Sequence, residues 1–178
     1  MKTLSRSLLL ALVLVPFGSA LLAECAHPPA QIILIRHGCK VDPQNHHSLL
    51  SPNGHEQARE LVGRLAPYKV AAIFATEEKR TQETVAAVAE NRKLTIETRP
   101  ASGEAAKKLM QDICASEAYA GKAVVYAGHS NTVSDARVGL GLEAKTPECA
   151  DGWVITFEGK KPVDTALPST AVKCEKPC

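Results

Sequence analysis

Gln31-Ile32-Ile33-Leu34-Ile35-Arg36-His37-Gly38 is the stretch whose reading decides the fold. Its unbroken apolar run reads as a strand buried on both faces, which belongs inside a parallel sheet covered by helices. The strand ends by delivering an arginine and an imidazole to its mouth, and such sheets bind ligands outside their carboxyl ends. A second apolar run, residues 122–126, leads into Ala127-Gly128-His129-Ser130-Asn131 in the same way. Two strand-end histidines with arginines nearby suit a pocket for a phosphate monoester and a nucleophilic imidazole.

Outward from these strands, apolar runs alternate with amphipathic stretches, and no repeat or low-complexity linker interrupts them. Residues 40–49 read as a polar loop. Ser51-Pro52 then reads as an N-cap and first helical position, and Ala58, Leu61, Val62 and Leu65 recur at helical spacing before Pro67. Residues 70–75 read as a second buried strand. Thr76 is expected to cap the next helix, with Glu77 and Glu78 in its first turn and Thr81, Thr84, Val85 and Val88 on its buried face. Residues 94–98 read as a strand, 104–115 as a helix, and 130–138 as a helix capped by Ser130 or Asn131. Residues 153–157 read as a last strand at a sheet edge, followed by an extended tail with three prolines. This alternation predicts an α/β fold, a three-layer α/β/α sandwich around a mostly parallel sheet.

The first 23 residues read as a targeting segment. Lys2 and Arg6 precede a short apolar core, and small residues at Gly18, Ser19, Ala20 and Ala23 offer cleavage after Ala20 or Ala23. The apolar core is too short to span a bilayer, and Glu24 disfavours lipidation at Cys25. Cleavage would take two of the 21 basic residues and leave 19 against 19 acidic. A formally neutral chain argues against nucleic acid or an anionic membrane as partner. About 155 residues, 24–178, are enough for a single domain. All six cysteines (Cys25, Cys39, Cys114, Cys149, Cys174, Cys178) lie in that part, and an even count in an exported chain favours disulfides over metal. Their pairing stays open at this point, although Cys174 and Cys178 are placed to tie the tail to the body.

Phosphoryl transfer needs a nucleophile, positive groups around the equatorial oxygens, and a proton for the leaving oxygen. His37 is the candidate nucleophile, and Arg36 and Arg80 offer planar forks that match phosphate oxygens. Four motifs carry the argument further: Leu34-Ile-Arg-His-Gly38; Leu50-Ser-Pro-Asn-Gly54 with Gln57-Ala58; Ile73-Phe-Ala-Thr76 with Arg80-Thr-Gln-Glu-Thr84; and Gly128-His-Ser-Asn131. In that order they resemble the histidine phosphatase superfamily, the phosphoglycerate mutase-like fold, from about residue 31 to residue 142. The resemblance implies a phosphorylated nucleophile at His37. It implies a pocket completed by Arg36, Arg80 and His129, with Asn131 and, more weakly, Asn45 as added donors. It implies no cofactor or metal, and a small phosphorylated substrate.

The departure lies at the proton donor. Many members of the family use a Glu between the second arginine and the second histidine, or an Asp directly after that histidine. Here Ser130 follows His129, and Glu104 lies in the right interval without the mutase-type surroundings. Glu104 is the sequence's candidate acid. The small SixA-type members also lack an obvious one.

Other features take plainer readings. His46-His47, adjacent on a polar loop, read as surface residues and not metal ligands. Gly139-Leu-Gly141 follows a helix where a dinucleotide fingerprint would open one, so it reads as a helix-ending turn. Cys39 is expected in a disulfide that stiffens the loop after His37. The sequence thus points to an exported, periplasmic or secreted, metal-independent phosphatase without a stable membrane anchor. A non-catalytic phosphate-binding module and a mutase-type phosphotransferase are the alternatives, and the mutase lacks its acid motif and substrate-enclosing insertions.

Overall fold

A computed structural model describes residues 24–176. The segment read as a signal peptide, residues 1–23, and Cys178 lie outside the described residues. Six strands form one sheet: β1 (Gln31–Arg36), β2 (Val70–Thr76), β3 (Ile96–Arg99), β4 (Ala123–Gly128), β5 (Gly152–Glu158) and β6 (Lys161–Ala166). Their order is β3-β2-β4-β1-β5-β6, with β1 to β4 mutually parallel and β5 and β6 antiparallel additions. Four helices cover it: α1 (Pro52–Arg64), α2 (Lys79–Arg92), α3 (Gly103–Ala115) and α4 (Ser130–Gly139).

The apolar run of β1 sorts alternately to the two faces, as a period of two requires. Ile32 and Leu34 pack with Val124, Tyr126 and Phe74 beneath α3 and α4, against Leu109, Met110, Ile113, Val133 and Ala136. Ile33 and Ile35 face the other way, with Leu61 and Leu65 of α1 and Val85 and Val88 of α2. Each such fully buried side chain is worth roughly 1.5–3 kcal/mol. The three-layer α/β/α sandwich of the sequence reading is therefore the observed architecture.

Helix starts follow local chemistry in α1 and α3. Ser51 Oγ accepts from the Gly54 amide at 3.1 Å with Pro52 in the first turn, and Ser102 Oγ accepts from the Ala105 amide at 3.2 Å. Two starts differ from expectation. Thr76 does not cap α2; it ends β2, the chain bends at residues 77–78, and α2 begins at Lys79 with Glu78 as its N-cap and no acid in its first turn. The N-cap of α4 is His129, one residue before the expected Ser130, with its amide donating to Thr132 Oγ1 at 2.8 Å. At α2 the side chain expected to serve its own helix, Thr76, is drawn into the site described below.

The expectation of a final edge strand at residues 153–157 needs correction. β5 pairs on one side with β1 and on the other with β6, so β6 is the edge. Pro162 and a largely exposed face hid β6, and an edge strand is where a proline is tolerated. Beyond β6, residues 167–176 return over α1. Gln57 Nε2 donates to Val172 O and Asn53 Nδ2 to Lys173 O, both at 2.9 Å. Disulfides join Cys25 to Cys114 and Cys39 to Cys174, and Cys149 is also disulfide-bonded. Cys174 thus ties the tail to the residue two beyond His37.

Candidate active site

The parallel strands end level with one another: Arg36 lies opposite Gly128, and Ala75 opposite Ala127. This shared edge receives His37, His129 and Arg80, which are far apart in sequence. The backbone of His37 is clamped on both sides, its amide on Gly128 O at 2.9 Å and its carbonyl under the Ala150 amide at 3.0 Å. Its side chain is 4 % exposed. Nδ1 lies 2.8 Å from Gly38 O, and a carbonyl can only accept, so Nδ1 carries the proton. Nε2 is left with a free lone pair. Burial, together with the charges of His129, Arg80 and Arg36, pushes the His37 pKa down to about 3, against the opposing pull of the Gly38 carbonyl. The imidazole is therefore neutral and nucleophilic at ordinary pH.

Gly38 lies in close approach to α1. A Cβ there would come within 3.0 Å of Gln57 Oε1 and of Gly54 O, on α1. The same loop is pinned by the Gly38 amide on Thr84 Oγ1 at 3.0 Å and the Cys39 amide on Gln57 Oε1 at 2.9 Å.

Arg80 is 7 % exposed near the start of α2. Its Nη1 donates to His46 O and, at 3.1 Å, to Glu78 Oε2; its Nη2 donates to His129 Nδ1 at 3.1 Å. Its Nε is buried with no hydrogen-bond partner. The contacts on Nη1 anchor the guanidinium, while the Nε–Nη2 edge keeps donors for a planar, two-oxygen acceptor. Because Nδ1 of His129 accepts from arginine, its proton sits on Nε2, which donates to Thr76 Oγ1 at 2.9 Å. The relay continues from Thr76 to Thr81 Oγ1 at 2.8 Å and from there to Glu78 O at 2.7 Å. Burial first, then Arg80, hold the His129 pKa down at about 4, with Glu78 pulling the other way. The two imidazoles stand 5.3 Å apart, centroid to centroid, inclined at 62°. Arg36 is held by Nη1 on Pro147 O at 2.9 Å, and its charge acts on both imidazoles. The result is a buried cluster of two neutral imidazoles beside the guanidinium of Arg80, with the charge of Arg36 acting on both rings.

The remaining sequence candidates lie outside this cluster. Asn131 is exposed in the first turn of α4. Asn45 is exposed, and its Oδ1 accepts from the His47 amide at 2.9 Å, so it shapes its own loop. Glu104 is exposed in the first turn of α3, and no hydrogen bond joins it to either histidine. Thr76 and Glu78 have no site role in the sequence reading; the contact of Thr76 with His129 joins two strand ends, and Glu78 meets Arg80 two residues on and His47 across from the polar loop. Among the described residues no group of three or more His, Cys, Asp or Glu side chains could hold a metal ion. No helix among them is long and apolar enough to cross a membrane.

The family model of the histidine phosphatase superfamily, branch 1, matches residues 32–133, more than half of the chain. The chain belongs to that superfamily. Among solved structures it is similar to the protein histidine phosphatase SixA complexed with tungstate, at 17 % identity and TM-score 0.63, over 76 % of this chain and 94 % of that one. It is also similar to a mycobacterial glucosyl-3-phosphoglycerate phosphatase, at 13 % identity and TM-score 0.66, over 79 % and 99 % of the two chains. A phosphoserine phosphatase from Entamoeba histolytica gives 17 % identity and TM-score 0.61 over 79 % and 98 %. At these identities the likeness is one of fold. No curated protein matches the chain.

Proposed function

We propose that this histidine phosphatase superfamily member is an exported phosphatase that hydrolyses phosphate monoesters through a phosphohistidine on His37. The observation that carries the reading is the Nδ1–Gly38 O bond at 2.8 Å, which leaves Nε2 as the free nucleophile in a positive pocket. Nε2 attacks phosphorus, the P–N bond forms, and the P–O bond to the leaving group breaks with its electron pair going to oxygen. Water then attacks the phosphohistidine, the P–N bond breaks, and inorganic phosphate leaves. The Nε–Nη2 edge of Arg80 and the guanidinium of Arg36 meet the equatorial oxygens, where charge builds.

Export rests on the leader-like first residues and on the use of cysteine in disulfides. The direct test is incubation of the oxidised protein, residues 24–178, with p-nitrophenyl phosphate, followed by rapid quenching and intact-mass analysis at neutral to alkaline pH. The expected result is a transient phosphoryl adduct on His37, with turnover lost in His37→Ala and unchanged by EDTA. Phosphate binding without turnover on any ester would favour the non-catalytic module instead.

A further inference from the structure

The pocket itself carries no obvious proton for a poor leaving group. Both buried imidazoles are neutral at ordinary pH, and the Nε2–H of His129 is engaged by Thr76. Glu78 Oε2 accepts from Arg80 Nη1 at 3.1 Å. The same Glu78 oxygen, Oε2, however, lies 3.4 Å from Nδ1 of His47. That histidine, its side chain 83 % exposed, lies beside a cavity of about 390 Å³ lined by His47, Leu49, Glu77, Glu78 and Lys79.

The loop that presents His47 is anchored to the phosphate-facing arginine itself. The carbonyl of the preceding residue, His46, accepts from Arg80 Nη1. Within the loop, Asn45 Oδ1 holds the His47 amide at 2.9 Å, Ser48 Oγ accepts from the Asp42 amide at 3.0 Å, and Lys40 Nζ reaches Pro43 O at 2.7 Å. The His47 imidazole is therefore tied to the guanidinium of Arg80 through the Glu78 carboxylate and the carbonyl of the neighbouring His46.

We propose that His47, oriented by Glu78, is the proton donor to the leaving oxygen; this rests on the phosphohistidine reading above. In the first step the protonated imidazole keeps Nδ1–H on Glu78 and passes the Nε2 proton to the leaving oxygen as the P–O bond breaks. In the second step the neutral ring takes a proton at Nε2 from the water attacking the phosphohistidine, which restores the starting form. Imidazole is suited to both halves near neutral pH.

The test compares kcat/KM for two monoesters. p-Nitrophenolate leaves without a proton, whereas the alkoxide of ethyl phosphate needs one. His47→Gln is expected to lower kcat/KM for ethyl phosphate by ~100-fold or more, and to change that for p-nitrophenyl phosphate by no more than about threefold. His46→Gln, on the neighbouring position, should leave the ratio of the two esters unchanged. Equal effects of His47→Gln on both esters, or none on either, overturn the donor, as does a selective loss produced by Glu104→Gln instead. Activity surviving in His37→Ala overturns the nucleophile and this proposal with it, so the two failures are distinguishable.

Discussion

Arg80 Nη2 donates to His129 Nδ1 at 3.1 Å, and this one contact decides where the proton of the second histidine resides. The ring must then carry its hydrogen on Nε2, toward Thr76 Oγ1 at 2.9 Å. Removing that acceptor frees the ring to turn or to change tautomer. Thr76→Val is expected to lower kcat/KM on p-nitrophenyl phosphate about tenfold, the equivalent of roughly one neutral hydrogen bond. Thr76→Ser, which keeps the hydroxyl, should stay within about twofold. Steady-state kinetics with thermal melting as a fold control check the pair.

The two depressed imidazole pKa values also make stability depend on pH. Unfolded histidines bind protons below about 6.5, whereas His37 and His129 in the folded protein stay neutral until about 3 and about 4. Between these limits the unfolded state holds more protons, so stability falls as pH falls. Each histidine contributes a slope of ~1.4 kcal/mol per pH unit in that window. Chemical denaturation at pH 7, 6 and 5 should show the decline. His129→Asn should flatten the slope by about one proton's worth.

The residues of the pocket were legible because each is announced locally. Arg36 and His37 close one apolar run, His129 closes another, and Arg80 opens a helix whose buried face the sequence displays. Relations across strands were not legible. Thr76 and His129 lie 53 positions apart and meet because β2 and β4 pair in register. The role read for Thr76 as a helix cap was reasonable local chemistry, overridden by its partner His129 on another element. The same holds for the tail: β6 carries Pro162 and an exposed face, and only its pairing with β5 makes it a strand. Cysteine count pointed to bridges, but the pairing of Cys39 with Cys174, 135 positions away, needed the fold.

Glycines on a single helix give a matched prediction. A Cβ on Gly54 would come within 2.3 Å of Cys39 O, a backbone atom in the loop just past His37. Gly54→Ala should therefore cost about 1–3 kcal/mol and depress activity, since the loop must shift. A Cβ on Gly63 meets nothing within 4 Å, and the position is exposed in the last turn of α1. Gly63→Ala should stabilise by about 0.5–1 kcal/mol with activity unchanged. Urea denaturation and turnover of p-nitrophenyl phosphate on both variants separate the effects.

The bridge between Cys39 and Cys174 joins stability to the geometry of the pocket. It closes a loop across 135 positions, for which the chain-entropy model gives a contribution on the order of 4–5 kcal/mol. Cys39 is buried, and its amide is held by Gln57 Oε1, whose Nε2 in turn holds the tail through Val172 O. Losing the covalent tie should therefore loosen the tail and, through Gln57, the loop that fixes Gly38 and the His37 tautomer. The paired substitution Cys39→Ala with Cys174→Ala is expected to lower the denaturation midpoint substantially. Under conditions where the variant is still folded, kcat/KM should also fall. A full loss of the stability increment with kinetics unaltered would mean that Gln57 and Thr84 suffice to hold the loop, and that the bridge acts on the unfolded chain alone.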